Sequence, residues 1–199
     1  MLKVLFSVIL LHFYMPLALA AVATPPEKAA LCTACHGVQG NSTNPDWPNI
    51  AGQHSSYLKK QLLDYKKGKT RTAPTMTAIV AGLSDKDIED LSRFYAGLPR
   101  GTGTVPIKYL KRGEALYRGG DLEKQITACV ACHGPNGLGN KEAGFPALSG
   151  QHASYLRLQL EAFKNKARLN DYNAIMRDIS LRMDKDDMEA VAFYMQGLY

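Results

Sequence analysis

The sequence predicts an all-α protein built as two tandem domains. The second half of the chain repeats the first in order and in spacing. Apolar residues recur at helical spacing, and no segment sustains the two-residue alternation of a strand. The pentapeptide Cys-X-X-Cys-His occurs once in each half, as Cys32-Thr33-Ala34-Cys35-His36 and Cys129-Val130-Ala131-Cys132-His133.

Residues 1–20 read as a secretory signal peptide. Lys3 precedes an apolar run from Val4 to about Ala23, and Ala18-Leu19-Ala20 gives a small-residue exit with cleavage after Ala20. Ala21-Val22-Ala23 is the alternative cleavage site. An uncleaved anchor competes with this reading, but His12 and Pro16 interrupt the run. The expected organisation is then a first domain at 21–98, a linker at 99–106 and a second domain at 107–199. The linker is marked by Pro99, Gly101-Thr102-Gly103-Thr104 and Pro106.

In the first domain, Thr24-Pro25-Pro26-Glu27 has the pattern of a capping box and leads a short helix into Cys32. Ser55 to Lys67 carries Leu58, Leu62 and Tyr65 on one stripe and stops at Gly68. Ser84-Asp85-Lys86-Asp87 opens a helix with Ile88, Leu91 and Tyr95 on one face, ending at Gly97. The second domain answers with helices over Tyr109 to Arg118, Ser154 to about Ala167, and about Asp184 to Gln196. Between the halves, Trp47-Pro48 matches Phe145-Pro146, Gly52-Gln53-His54 matches Gly150-Gln151-His152, and Tyr57 and Gln61 match Tyr155 and Gln159. The offset drifts from 97 at the cysteines to 100 near the ends. Two copies imply a duplicated domain and not a solenoid.

Cys-X-X-Cys-His is the attachment signal of c-type haem. Two thiols three positions apart can each form a thioether to a vinyl group, and the adjacent imidazole then faces the iron. The motifs consume all four cysteines, which leaves none for a disulfide or a nucleophile. A four-Cys zinc site or a thioredoxin-like pair would require neither histidine, and the two pairs lie too far apart for a small zinc module. Two covalent haem c groups are therefore expected, at Cys32/Cys35 and Cys129/Cys132, with His36 and His133 on the irons.

The second axial position falls to Met76 and Met176, which align at an offset of 100, each about forty residues beyond its motif. The sequence places both on loops just before the last helix of their domain. Met183, Met188 and Met195 align with Leu83, Ile88 and Tyr95, as core positions would. His54 and His152 are the competing ligands, although a residue just ahead of a helix more often caps it. Pro48 and Pro146 either offer carbonyls to the ligating histidines or stiffen their loops.

A formal net charge of +6 falls by one without Lys3, and the propionates of two haems offset much of the rest. The interleaved charges exclude a nucleic-acid tract and suit acidic partners or peripheral contact with a membrane surface.

These motifs resemble the cytochrome c4 family of dihaem cytochromes over nearly the whole mature chain. The resemblance is carried by CTACHG and CVACHG, NPDWPNIAGQHSSYLKKQL and GFPALSGQHASYLRLQL, APTM and AIMRDI, LSDKDIEDLSRFYAGL and GEALYRGG. It implies two class I cytochrome c domains related by a pseudo-twofold axis, with haem edges facing across the interface. It also implies thioethers at Cys32, Cys35, Cys129 and Cys132, His/Met ligation by His36, Met76, His133 and Met176, and Pro48 and Pro146 carbonyls on the histidines. The chain departs from the family in a short leading helix and in extra residues around Asp121 to Ile126. The expectation is a monomeric periplasmic electron carrier, with the cytochrome bc1 complex as donor and a terminal oxidase as acceptor. Its rivals are a dihaem peroxidase, a thiosulfate-oxidising cytochrome, and a dedicated electron-transfer subunit of a dehydrogenase or reductase. Paired methionine ligands argue against the two enzymes, which need an open or unusually ligated iron.

Overall fold

The computed structural model describes residues 24–198, so the expected signal peptide lies outside the described residues. Nine α-helices occur among these residues, with no strand beyond isolated bridges. The first half holds α1 (Ala30–His36), α2 (Ser55–Lys67), α3 (Pro74–Ala81) and α4 (Asp85–Ala96). The second holds α5 (Ile107–Gly119), α6 (Val130–His133), α7 (Ala153–Lys164), α8 (Ile175–Leu181) and α9 (Lys185–Gln196).

The strongest local signals act at the starts of α4 and α9. Ser84 accepts from the Asp87 amide while the Asp87 carboxylate accepts from the Ser84 amide, and Asp184 and Asp187 repeat the reciprocal pair at α9. Such a box satisfies two amides that a helix start otherwise leaves without partners. The chain entry differs from expectation. Pro26, not Thr24, stands at the first turn, no side chain caps it, and Glu27–Ala29 forms a 3-10 turn before α1. Two prolines separate Thr24 from the amides it would have to reach, and neither supplies an N–H of its own.

Two further helices escaped the sequence pattern. Met76 and Met176 lie within α3 and α8 and not on loops. In α3 the β-branched Thr75, Thr77, Ile79 and Val80 mask helical propensity, while Pro74 sits in the first turn where proline is tolerated. Before α8 the backbone kinks through Asn173 and Ala174, at φ 46° and 60°, so no continuous helical stripe exists to read. The α7 helix ends at Lys164, three residues short of the expected Ala167.

The two cores are unequal. Around α4 the buried apolar set is Ala29, Val80, Leu83, Ile88, Leu91 and Tyr95. The second domain buries a larger set that includes Leu116, Tyr117, Met183, Met188, Val191 and Met195, because α5 lies along α9 with nothing comparable in the first half. The extra residues before the second motif close on themselves through paired Asp121 and Ile126 backbone bonds of 2.9 and 2.8 Å. They are tied to α9 by ion pairs: Arg112 and Lys124 both reach the buried Asp187, and Arg112 also holds Asp121.

The α5 and α9 helices approach closely at Gly113, where a Cβ would land on the Ala190 carbonyl oxygen and 2.6 Å from the Tyr194 Cβ. Alanine would gain about 1 kcal/mol in helix propensity. Forcing α5 from α9 should cost about 1–3 kcal/mol. We expect Gly113→Ala to be net destabilising, seen as a lower denaturant midpoint with unchanged slope.

Candidate haem-binding sites

Both Cys-X-X-Cys-His motifs wind into short helices whose last residue is the histidine, α1 ending at His36 and α6 at His133. Glycine follows in each case, at φ 78° and 76°, and turns the chain away so that the imidazole is buried on the inner side. The ring is then fixed from behind. His36 Nδ1 lies 2.8 Å from the Pro48 carbonyl oxygen, and His133 Nδ1 lies 2.9 Å from that of Pro146. With Nδ1–H donated to a carbonyl, the free lone pair of each ring is on Nε2. Burial lowers the pKa of both histidines, opposed by the bond to the proline carbonyl, so each imidazole is held in the neutral form a metal needs.

A continuous cavity of about 740 Å³ lies between the halves. Cys32, His36 and Met76 line it from one domain, and Cys129, Cys132, His133 and Met176 from the other. Cys35 is half-buried and falls outside the lining. His54 and His152, the competing ligands, do not line the cavity. They stand at the N-caps of α2 and α7, and His152 Nε2 lies 2.8 Å from the Ser42 carbonyl across the interface. None of the four cysteines is tied up in a disulfide, and burial raises the Cys32 thiol and pushes the Cys129 thiol up to about 12. Among the described residues no group of three or more His, Cys, Asp or Glu comes together as a bare metal site would require.

The apolar stripes of α2 and α7, Leu58, Leu62 and Tyr65 and their counterparts Leu156, Leu160 and Phe163, face this cavity. At its floor lies a polar cluster that the sequence reading left without a role. Arg71 and Arg168 are 5% and 6% exposed. Arg71 donates to Gln61 and, at 2.8 Å, to the Tyr155 hydroxyl; Arg168 donates at 2.9 Å to the Tyr57 hydroxyl and at 2.8 Å to Gln159. Neither guanidinium has a carboxylate at ion-pair distance among the described residues. The Tyr57 phenol registers this field: burial would raise its pKa, yet Arg168 and Arg71 bring it below the ordinary value. Two buried cations sharing neutral acceptors are costly unless an anion meets them.

Apolar walls, paired thiols, neutral imidazoles, thioethers and two uncompensated cations together suit a large apolar macrocycle that carries a metal and carboxylates. The matched Tyr57/Tyr155 and Gln61/Gln159 were visible as repeats. Arg71 and Arg168 stand among other charges at an offset of 97, out of step with the 98 of Gln61/Gln159 and the 100 of Met76/Met176, so the repeat did not single them out.

The cytochrome c family model matches residues 28–98 and again 110–199. The chain is 44% identical over 181 residues to cytochrome c4 of Stutzerimonas stutzeri, covering 86% of each. It is 42% identical over 200 residues to cytochrome c4 of Pseudomonas aeruginosa, covering 99% of each. The crystal structure of reduced recombinant cytochrome c4 from Pseudomonas stutzeri superposes with a TM-score of 0.83 at 43% identity, over 86% of this chain and 95% of that one.

Removing one buried cation from the cavity floor should favour the more positive state of an iron bound there. Arg71→Gln is expected to move the Fe(III)/Fe(II) equilibrium of both haems toward Fe(III), by on the order of 1 kcal/mol each. A redox titration followed optically reads this, and unshifted potentials would show that the pair does not face the cofactors.

Proposed function

This chain belongs to the cytochrome c4 family, and from that premise we propose that it is a periplasmic carrier of single electrons between respiratory complexes. It is an electron-transfer protein with two covalent haem c groups, not an enzyme. The residue roles are these. Cys32 and Cys35 hold one haem by thioethers within a domain spanning 21–98; Cys129 and Cys132 hold the other within 107–199, with 99–106 as linker. His36 and Met76 would ligate the first iron, and His133 and Met176 the second. Residues 1–20 act as the export signal and are removed after Ala20. The observation that supports this reading most is the convergence of both histidines and both methionines on one cavity, each histidine oriented by a proline carbonyl.

When bound, the haems supply the one-electron Fe(III)/Fe(II) couple. The chain does the rest. Pro48 and Pro146 fix the imidazole planes, so ligation survives a change of oxidation state with little rearrangement. Met76 and Met176 complete the coordination and keep oxygen and small ligands from the metals. Burial of both histidines keeps water from their own ligating nitrogens. Arg71 and Arg168, buried in the cavity lining without a carboxylate partner, would offer positive charge to the haem carboxylates, and two haems held in one cavity would supply one-electron redox centres to both domains. The cytochrome bc1 complex as donor and a terminal oxidase as acceptor suit this role. The protein acts as a monomer, and its positive charge suits peripheral contact with a membrane. No described helix is long and apolar enough to cross one.

An optical spectrum of the purified protein tests the reading. We expect two haems per chain, a methionine–iron charge-transfer band in the ferric state, and no carbon monoxide binding to the native ferrous protein. Met76→Ala or Met176→Ala should each remove the band of one haem and open that iron to carbon monoxide. Carbon monoxide binding by the unmodified protein would mean an open iron and sink the carrier reading in favour of a redox enzyme.

A further inference from the structure

The repeated Gly-Gln-His has no part in the ligand set, yet its glutamines make the most regular contacts between the domains. Gln151 is 8% exposed and reaches from the second domain to Asn49 in the first. Its Oε1 accepts from the Asn49 amide at 2.8 Å and its Nε2 donates to the Asn49 carbonyl at 2.7 Å. Gln53, equally buried, does the same in reverse. It accepts from the Ala147 amide at 3.0 Å and donates to the Ala147 carbonyl at 2.8 Å. Each Oε1 also accepts from the amide of the histidine that follows it, at 2.9 Å for His54 and 3.0 Å for His152. That second bond settles which end of the side-chain amide carries the oxygen.

The position of the two clasped amides matters. Asn49 N–H belongs to the same peptide group as the Pro48 carbonyl, which accepts from His36 Nδ1. Ala147 N–H belongs to the same peptide group as the Pro146 carbonyl, which accepts from His133 Nδ1. A peptide whose N–H is donated to a buried oxygen is polarised, and its carbonyl becomes a stronger acceptor. A stronger acceptor draws the imidazole N–H further and makes the ring a better electron donor to a metal at Nε2. The chain of bonds runs from the glutamine of one domain, through one peptide group, to the histidine of the other.

We propose that Gln53 and Gln151 are positioning residues acting across the domain boundary, each setting the donor strength of the axial histidine, and so the redox equilibrium of the haem, in the opposite domain. This rests on the reading of His36 and His133 as iron ligands. Cutting the clasp weakens the histidine as a donor and favours Fe(II) in the domain that does not carry the substitution. From the expected strengthening per bond in such a chain, the ratio of Fe(II) to Fe(III) at fixed potential should rise roughly two- to fourfold. An ordinary interface contact would move neither haem in this crossed manner.

The test is a redox titration of the haem-loaded full-length protein carrying Gln151→Met or Gln53→Met, followed by proton NMR. Each titration is assigned to its domain by the methionine methyl, Met76 or Met176, that loses its ring-current shift on oxidation. Gln151→Met should shift the first-domain haem and Gln53→Met the second. Ser154→Ala, which removes the contact to Asp46 across the same interface without touching either peptide, should shift neither. If a methionine variant does not retain two haems, Gln→Asn at the same position shortens the side chain past reach while keeping its amide, and the same crossed shift is expected. Equal shifts of both haems, a shift confined to the substituted domain, or no shift would each overturn the proposal while leaving the ligand reading intact. Failure of the ligand reading itself looks different: neither methyl would carry a ring-current shift in the unmodified ferrous protein.

Discussion

The helices of each half pack around a shared cavity as well as against one another. In the first domain α2 carries Leu58, Leu62 and Tyr65 along the cavity wall, only partly buried against the core around α4. In the second, Leu156, Leu160 and Phe163 of α7 are buried and line the same cavity. Domains of about ninety residues are marginal even when packed solid. The apolar interior is completed by the bound cofactor, whose covalent attachment makes its burial part of folding. The caps of α4 and α9, the glycines after each motif and the proline carbonyls behind each histidine all hold a rim around that space.

The interface follows from the same constraint. The cavity is shared, and the surfaces that meet around it are joined by cations and amides in place of an apolar seam. The contacts come in reciprocal pairs: Arg71 to Tyr155 against Arg168 to Tyr57, and Gln53 to Ala147 against Gln151 to Asn49. A self-complementary patch of this kind is what a twofold relation between like units produces. Asymmetry enters only where the halves differ in sequence, as with α5 along α9 and the ion-paired segment around Asp187.

Much of this was legible because duplication displays the constrained positions twice. The two motifs, the paired methionines and the helix starts at Ser84 and about Asp184 stood out by type and spacing. The helices around Met76 and Met176 did not, since a proline start, β-branched residues and a left-handed kink each break the helical period. Nor did the cavity floor: Arg71 and Arg168 resemble surface charges in a chain rich in them, and their burial depends on contacts made by the other domain. The glutamines were visible as a repeat, but their geometry exists only once the halves are docked.

The segment between α4 and α5 is short and pinned at both ends, Arg100 to the Gly52 carbonyl and the Thr104 carbonyl to Gln196. A tether of this kind gives each half an effective concentration of the other on the order of millimolar. An interface whose separated halves would pair with a Kd of about 10 µM is then closed in about 99% of molecules. Shape and charge at the junction are therefore free to serve the cofactors, because connectivity supplies the avidity that a dimer would have to draw from an apolar surface.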